Sequence, residues 1–121
     1  MLEGQKMATT FGKELRKLRI DKDETIYQMA KNLEMSISYL SAIEAGTRNI
    51  PSDMVDKIIT KYKLDAERSE IMRHAEAESA KEIDINLDGI SSEQRKLIFA
   101  LSRKLNNITN EECLDILNKL K

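Results

Sequence analysis

The sequence predicts an all-α protein: five short helices, then an extended linker, then a C-terminal helical hairpin. Three observations predict it. Apolar residues recur at spacings of three and four through most of the chain, the period of a helix with one buried face. Ser, Thr or Asp stands just ahead of most of these stripes, in three cases with Gln or Glu three residues later, which marks helix starts. The composition, 40% apolar and 34% charged with 4% aromatic and no Trp, fits a bundle of short helices with Leu, Ile and Met cores. A length of 121 residues allows one domain, or one small domain with an appendage.

Met1 to Lys6 has no periodicity and precedes a second methionine, Met7; no function is expected there. Thr9 or Thr10 can cap a first helix running to about Asp21, with Phe11, Leu15 and Leu18 inward. Lys13, Arg16, Lys17 and Arg19 then decorate it as a solvated basic face or as phosphate contacts. Asp21 to Glu24 is an acidic turn just before the next helix start, where the macrodipole favours anions.

Thr25 to Gly46 organises the rest. Ile26, Met29, Ala30 and Leu33 make one stripe, and Met35, Leu40 and Ile43 a second. Thr25 with Gln28 forms a capping box, and Ser36 is an N-cap only three residues past Leu33. Two helices so close together must cross, and the small Ala30 lets the second pass over the first. That is the helix-turn-helix layout, whose second helix lies in the DNA major groove. Any two amphipathic helices with a short connection share the stripe, so the exposed residues decide. On the second helix these are Ser38, Tyr39, Ser41 and Ala42, small or hydrogen-bonding side chains that can approach base edges, where an ordinary solvated face would carry Lys and Glu.

Gly46 is a helix C-cap, and Thr47-Arg48-Asn49 a polar loop. Pro51 and Ser52 mark a fourth helix, Ser52 to about Tyr62, with Met54, Val55, Ile58, Ile59 and Tyr62 inward. Asp65 caps a fifth, amphipathic through Ile71, Met72 and Ala75, and the domain is expected to span residues 7–80. Residues 81–90 alternate Ile83, Ile85 and Leu87 with polar residues, the period of an extended linker with strand character. Capping boxes at Ser91 with Gln94 and Thr109 with Glu112 open the two helices of a hairpin over residues 91–121. A unit that small needs a partner surface, met either by folding back onto the first five helices or by packing against its copy in a second chain, the solution expected here. Leu97, Leu101, Leu105, Leu114, Leu117 and Leu120 supply it, and are expected to hold a homodimer.

Met29-Ala30, Leu33, Met35-Ser36, the run Ser38 to Gly46 and the following Thr47 to Ser52 together resemble the lambda-repressor-like (Xre/Cro) DNA-binding domain. The resemblance covers about Phe11 to Leu64 and implies five helices. Two positions depart from it. Glu34 stands where the family usually has the turn glycine, which requires a left-handed non-glycine residue at a cost of about 1–2 kcal/mol. Ile26 stands where many members place a phosphate-binding glutamine, so that contact does not carry over. By position in the family pattern, Ile37 and Ser38 open the recognition helix, and Ser41 and Ala42 lie one turn on. The base-contacting set is then Ile37, Ser38, Tyr39, Ser41 and Ala42, flanked by Thr25, Tyr27, Lys31, Arg48 and Asn49 on phosphates.

The net charge of −1 is unevenly distributed. Residues 7–64 carry ten Lys/Arg against eight Asp/Glu, residues 65–88 three against eight, and residues 89–121 six against four. The front is weakly basic, compatible with sequence-specific DNA binding but not with tight coating of any nucleic acid. One His, one Cys, no glycine-rich phosphate loop and no His-Glu metal motif leave no catalytic constellation, no metal site and no implied cofactor, so no enzyme is expected. A single cysteine, no signal peptide and no apolar run long enough to span a membrane fit the cytoplasm. The expected function is a regulator that binds double-stranded DNA, a dimeric repressor on a palindromic operator of the kind mobile elements carry. The alternative is an antitoxin that autoregulates its operon and binds a small toxin protein with its tail.

Overall fold

The computed structural model describes residues 8–121, so the expectations for Met1–Lys6 and the boundary at Met7 lie outside the described residues. Seven helices follow in order: α1 Thr10–Asp21, α2 Ile26–Asn32, α3 Ile37–Ala45, α4 Met54–Tyr62, α5 Ala66–Ser79, α6 Ser92–Lys104 and α7 Asn110–Lys119. No strand occurs among the described residues. The chain divides into two units that meet between Asp84 and Ile85.

In the first unit most helix starts are satisfied by side chains. Thr9 accepts the Gly12 N–H at 3.0 Å, Ser36 the Tyr39 N–H at 3.1 Å, and Asp65 the Arg68 N–H at 2.8 Å. Thr25 and Gln28 close the reciprocal box: the hydroxyl accepts the Gln28 N–H at 3.1 Å and the amide oxygen accepts the Thr25 N–H at 2.8 Å. The fourth helix starts later than its sequence suggests. Pro51 accepts the Met54 N–H at 3.1 Å, turning Ser52 and Asp53 into a bend, and Asp53 makes no side-chain cap.

The core joins Phe11, Leu15 and Leu18 of α1 with Met29, Ala30 and Leu33, then Leu40 and Ile43 of α3, Met54, Val55, Ile58 and Tyr62 of α4, and Met72 and Ala75 of α5. Ile26, Met35 and Ile59 pack against it, half-buried. Ile26 thus serves the core where the resemblance would put a phosphate ligand. Ile71 was expected inward and is exposed, because adjacent positions on a helix point about 100° apart and Met72 takes the inner place. α1 lies at the centre, packed on both α5 and α3, with α2 on α3 and α4 on α5. The Phe11 N–H, an orphan of the first turn of α1, is taken by the Ser79 hydroxyl at 2.9 Å, which ties the end of α5 back to α1.

Residues 81–90 are coil, without the ladder partner a strand would need. In the second unit both capping boxes form, Ser91 with Gln94 and Thr109 with Glu112. Neither α6 nor α7 buries a residue, and the six leucines of the expected contact face are 42–73% exposed.

Candidate nucleic-acid interface

The geometry of the site begins with what holds α3. Leu40 and Ile43 fix one side of it in the core, and Glu44, on the same side, is 3% exposed. Its carboxylate accepts two hydrogen bonds from the Arg19 guanidinium, one through Oε1 at 3.1 Å, and Arg16 Nε stands 3.5 Å away. Arg19 also reaches the Met29 sulfur at 3.3 Å, so it joins α1 to both helices of the pair. Arg19 is therefore no part of a solvated basic face. The backbone joins there too. Thr9 donates its N–H at 3.1 Å and its hydroxyl at 3.3 Å to the Glu44 carbonyl, and a Cβ on Gly12 would come within 2.3 Å of that oxygen. Only glycine permits so close a crossing.

The turn before α3 is tight. Met35 donates to the Ala30 carbonyl at 3.0 Å and Glu34 takes the left-handed conformation that the resemblance implied, with φ 59°. Gly46, φ 83°, ends α3, and Thr47 and Arg48 both donate backbone N–H to the Ala42 carbonyl, at 2.9 and 3.3 Å. α2 is held at both ends by one network. The Tyr62 hydroxyl donates to Glu24, and Asn32 donates to Glu24 at 2.7 Å and to the Tyr62 oxygen at 3.4 Å. Burial, and then the bond to Glu24, push the Tyr62 hydroxyl up to about 12.

These supports leave one side of α3 facing outward. Ile37, Ser38 and Ser41 are exposed, Tyr39 and Ala42 half-buried. An open cleft of about 580 Å3 is lined by Ser36, Ser38, Tyr39, Ala42, Thr47 and Arg48, with no carboxylate among them. The Arg48 guanidinium lies over the Tyr39 ring, 5.1 Å from its centroid. A family model described as "Helix-turn-helix domain" matches residues 10–71, half of the chain. The chain belongs to the helix-turn-helix domain family. No curated protein and no solved structure matches it.

The structure brings Ser38, Tyr39, Ala42 and Arg48 into one cleft, while Ile37 and Ser41 lie exposed on the same helix outside its lining. Thr25, Tyr27 and Lys31 are exposed on or beside α2. Asn49 is occupied otherwise. Its amide oxygen accepts the N–H groups of Lys81 at 2.8 Å and Glu82 at 3.4 Å, and its NH2 donates to the Glu82 carbonyl at 3.3 Å. It pins the segment after α5 beside the loop that follows α3. Sequence reasoning missed Ser36 and Thr47, which line the cleft while serving as N-cap and loop. It also missed Glu44, although the core spacing of Leu40, Ile43 and Glu44 placed a carboxylate on the inner face. His74, the sole histidine, is exposed with Nε2 3.4 Å from Glu70. Among the described residues no helix is long and apolar enough to cross a membrane.

Proposed function

We propose that this protein is a sequence-specific transcriptional regulator of the Xre/Cro type, a cytoplasmic dimeric repressor that sets α3 in the major groove of a palindromic operator. The observation that carries the reading is the outer face of α3. It is a helix held from behind by a buried ion pair, with small and hydrogen-bonding side chains outward and no acid in its cleft. In the groove Ser38 and Ser41 hydrogen-bond to base edges, Ile37 and Ala42 pack on thymine methyls, and Tyr39 lies between them. Thr25, Tyr27 and Lys31 anchor phosphates at the flank. Replacing Ser38 or Ser41 by Ala relaxes discrimination by roughly 1–3 kcal/mol at one base pair per half-site. Selection of binding sites from a random duplex library checks this, and an unchanged preference in both variants sinks the assignment.

Dimerisation is drawn from the exposed leucines of α6 and α7, whose burial is worth roughly 1.5–3 kcal/mol each. Pairing them across a two-fold axis sets two recognition helices about 34 Å apart, one turn of DNA. A chain ending at Asp84 retains every residue of the core and should fold. It should sediment as a monomer and bind a full palindrome roughly 100-fold more weakly, having lost the linked half-site. The same exposed leucines also favour a second reading, an antitoxin whose tail covers a small toxin. Full-length protein that sediments as a monomer at micromolar concentration favours that reading.

A further inference from the structure

The sequence expectation sets Arg48 on a phosphate. The geometry points to another role: we propose that Arg48, stacked on Tyr39, reads a guanine in each operator half-site. The inference rests on the DNA-binding reading above and names part of what that site recognises.

Arg48 follows the end of α3 at Ala45, yet its guanidinium lies over Tyr39, the third residue of that helix. The side chain therefore runs back along α3 towards its N-terminal half, the end that meets base edges in a helix-turn-helix. Its backbone is fixed for this. Thr47 and Arg48 bond to the Ala42 carbonyl through their N–H groups, and the Thr47 hydroxyl donates to the same oxygen at 3.2 Å. The guanidinium carbon lies over the ring, and no side-chain hydrogen bond to another described residue takes its N–H donors. Arg48 lines the cleft with Ser36, Ser38, Ala42 and Thr47, where no carboxylate competes for those donors. Stacking also restricts a side chain that otherwise loses much rotamer freedom on binding. A phosphate also accepts two parallel N–H donors, but the guanidinium stands over the N-terminal half of α3, the part that meets base edges. There the matching acceptor pair is guanine, whose O6 and N7 lie side by side in the major groove.

The test separates charge from geometry. Full-length protein is first used to select sites from a random duplex library. In the selected site, each guanine is then replaced in turn by 7-deazaguanine, which removes the N7 acceptor. One guanine per half-site should show roughly tenfold weaker binding on replacement. Arg48→Ala, which removes every donor, should abolish the preference for G·C at that same pair, and Tyr39→Leu, which removes the ring, should weaken it. An Arg48→Ala that keeps the wild-type preference at every pair and weakens all duplexes by one common factor overturns the proposal; that is the behaviour of a phosphate anchor. If the wild-type protein enriches no sequence at all, the DNA-binding reading falls and this inference with it.

Discussion

α2 is seven residues long and places Met29 and Ala30 in the core, whereas α6 is thirteen residues long and buries nothing. Both open with the same reciprocal cap, Thr25 with Gln28 and Ser91 with Gln94. A cap satisfies orphan N–H groups at a helix start, but it supplies little of the apolar burial on which short helices depend in water. The shorter helix is thus held by its neighbours and the longer one mainly by itself. This difference divides the labour of the chain. The front unit holds α3 in a shared core, and the back unit leaves its leucines exposed.

The sharpest way to break this contrast is one large truncation in each unit. Phe11 is fully buried, and Phe11→Ala should cost about 3–5 kcal/mol. Leu101→Ala removes a side chain already 42% exposed and should leave melting of the front unit within about 0.5 kcal/mol of wild type. Thermal melts followed by circular dichroism compare the two, and equal losses would refute the contrast.

The next effect concerns the buried carboxylate of α3. Glu44→Ala leaves Arg19 half-enclosed with no carboxylate opposite it, and should cost about 3 kcal/mol. Replacing both, Glu44→Ala with Arg19→Met, should recover part of that loss, since the penalty comes from the uncompensated charge. A double variant no more stable than Glu44→Ala alone would show that the ion pair is not the source.

That pair also marks where the sequence stops being legible. Periodicity reports which side of a helix faces inward, and so the stripes of α1 to α4 could be read in advance; residue types ahead of the stripes marked the caps of every helix but α4, and the left-handed Glu34 followed from the family resemblance. It does not report partners. Arg19 and Glu44 lie 25 positions apart, and nothing local distinguishes Arg19 from Lys17, which only pairs with Glu14 on the same helix. Asn49 bonds to backbone groups of Lys81 and Glu82, and backbone carries no side-chain pattern to read. Ile71 fails for another reason: Ile71, Met72 and Ala75 describe a stripe wider than the contact α5 makes. At the site, four of the expected contacts fall in one cleft, but the stacking of Arg48 on Tyr39 depends on how the loop folds back.

A smaller effect separates the two units by pH. Tyr62 titrates at about 12 in the folded protein against 10.0 for an ordinary tyrosine. The unfolded chain therefore releases this proton first, so the stability is complete below pH 10.0 and is lost as pH rises towards 12. The loss should be about 1–2 kcal/mol after allowance for solvent screening, and Tyr62→Phe should flatten the slope of stability in that window. Urea melts at several alkaline pH values measure it. In the back unit the shift has a local cause. The Thr109 N–H, then its hydroxyl, hold the Glu112 carboxyl below its usual range. Its contribution is present above the ordinary carboxylate pKa and is lost on acidification, from α7 alone.

The smallest effect uses the same chemical change in both units. Thr25→Ala and Thr109→Ala each delete a hydroxyl that accepts the N–H three residues on, at 3.1 Å in both cases. Each loss should be about 1 kcal/mol. In the front, α2 is packed on α3 and shares the core, so the loss should appear as a lower melting temperature for the whole unit. In the back, α7 has no buried residue through which to spread it. Thr109→Ala should therefore speed amide exchange in α7 and weaken self-association while the front melt stays unchanged. Residue-resolved hydrogen exchange reads both variants at once. If Thr109→Ala lowers the front melting temperature as much as Thr25→Ala does, the last two helices share the cooperative unit of the first five, and the division of labour drawn from their burial is wrong.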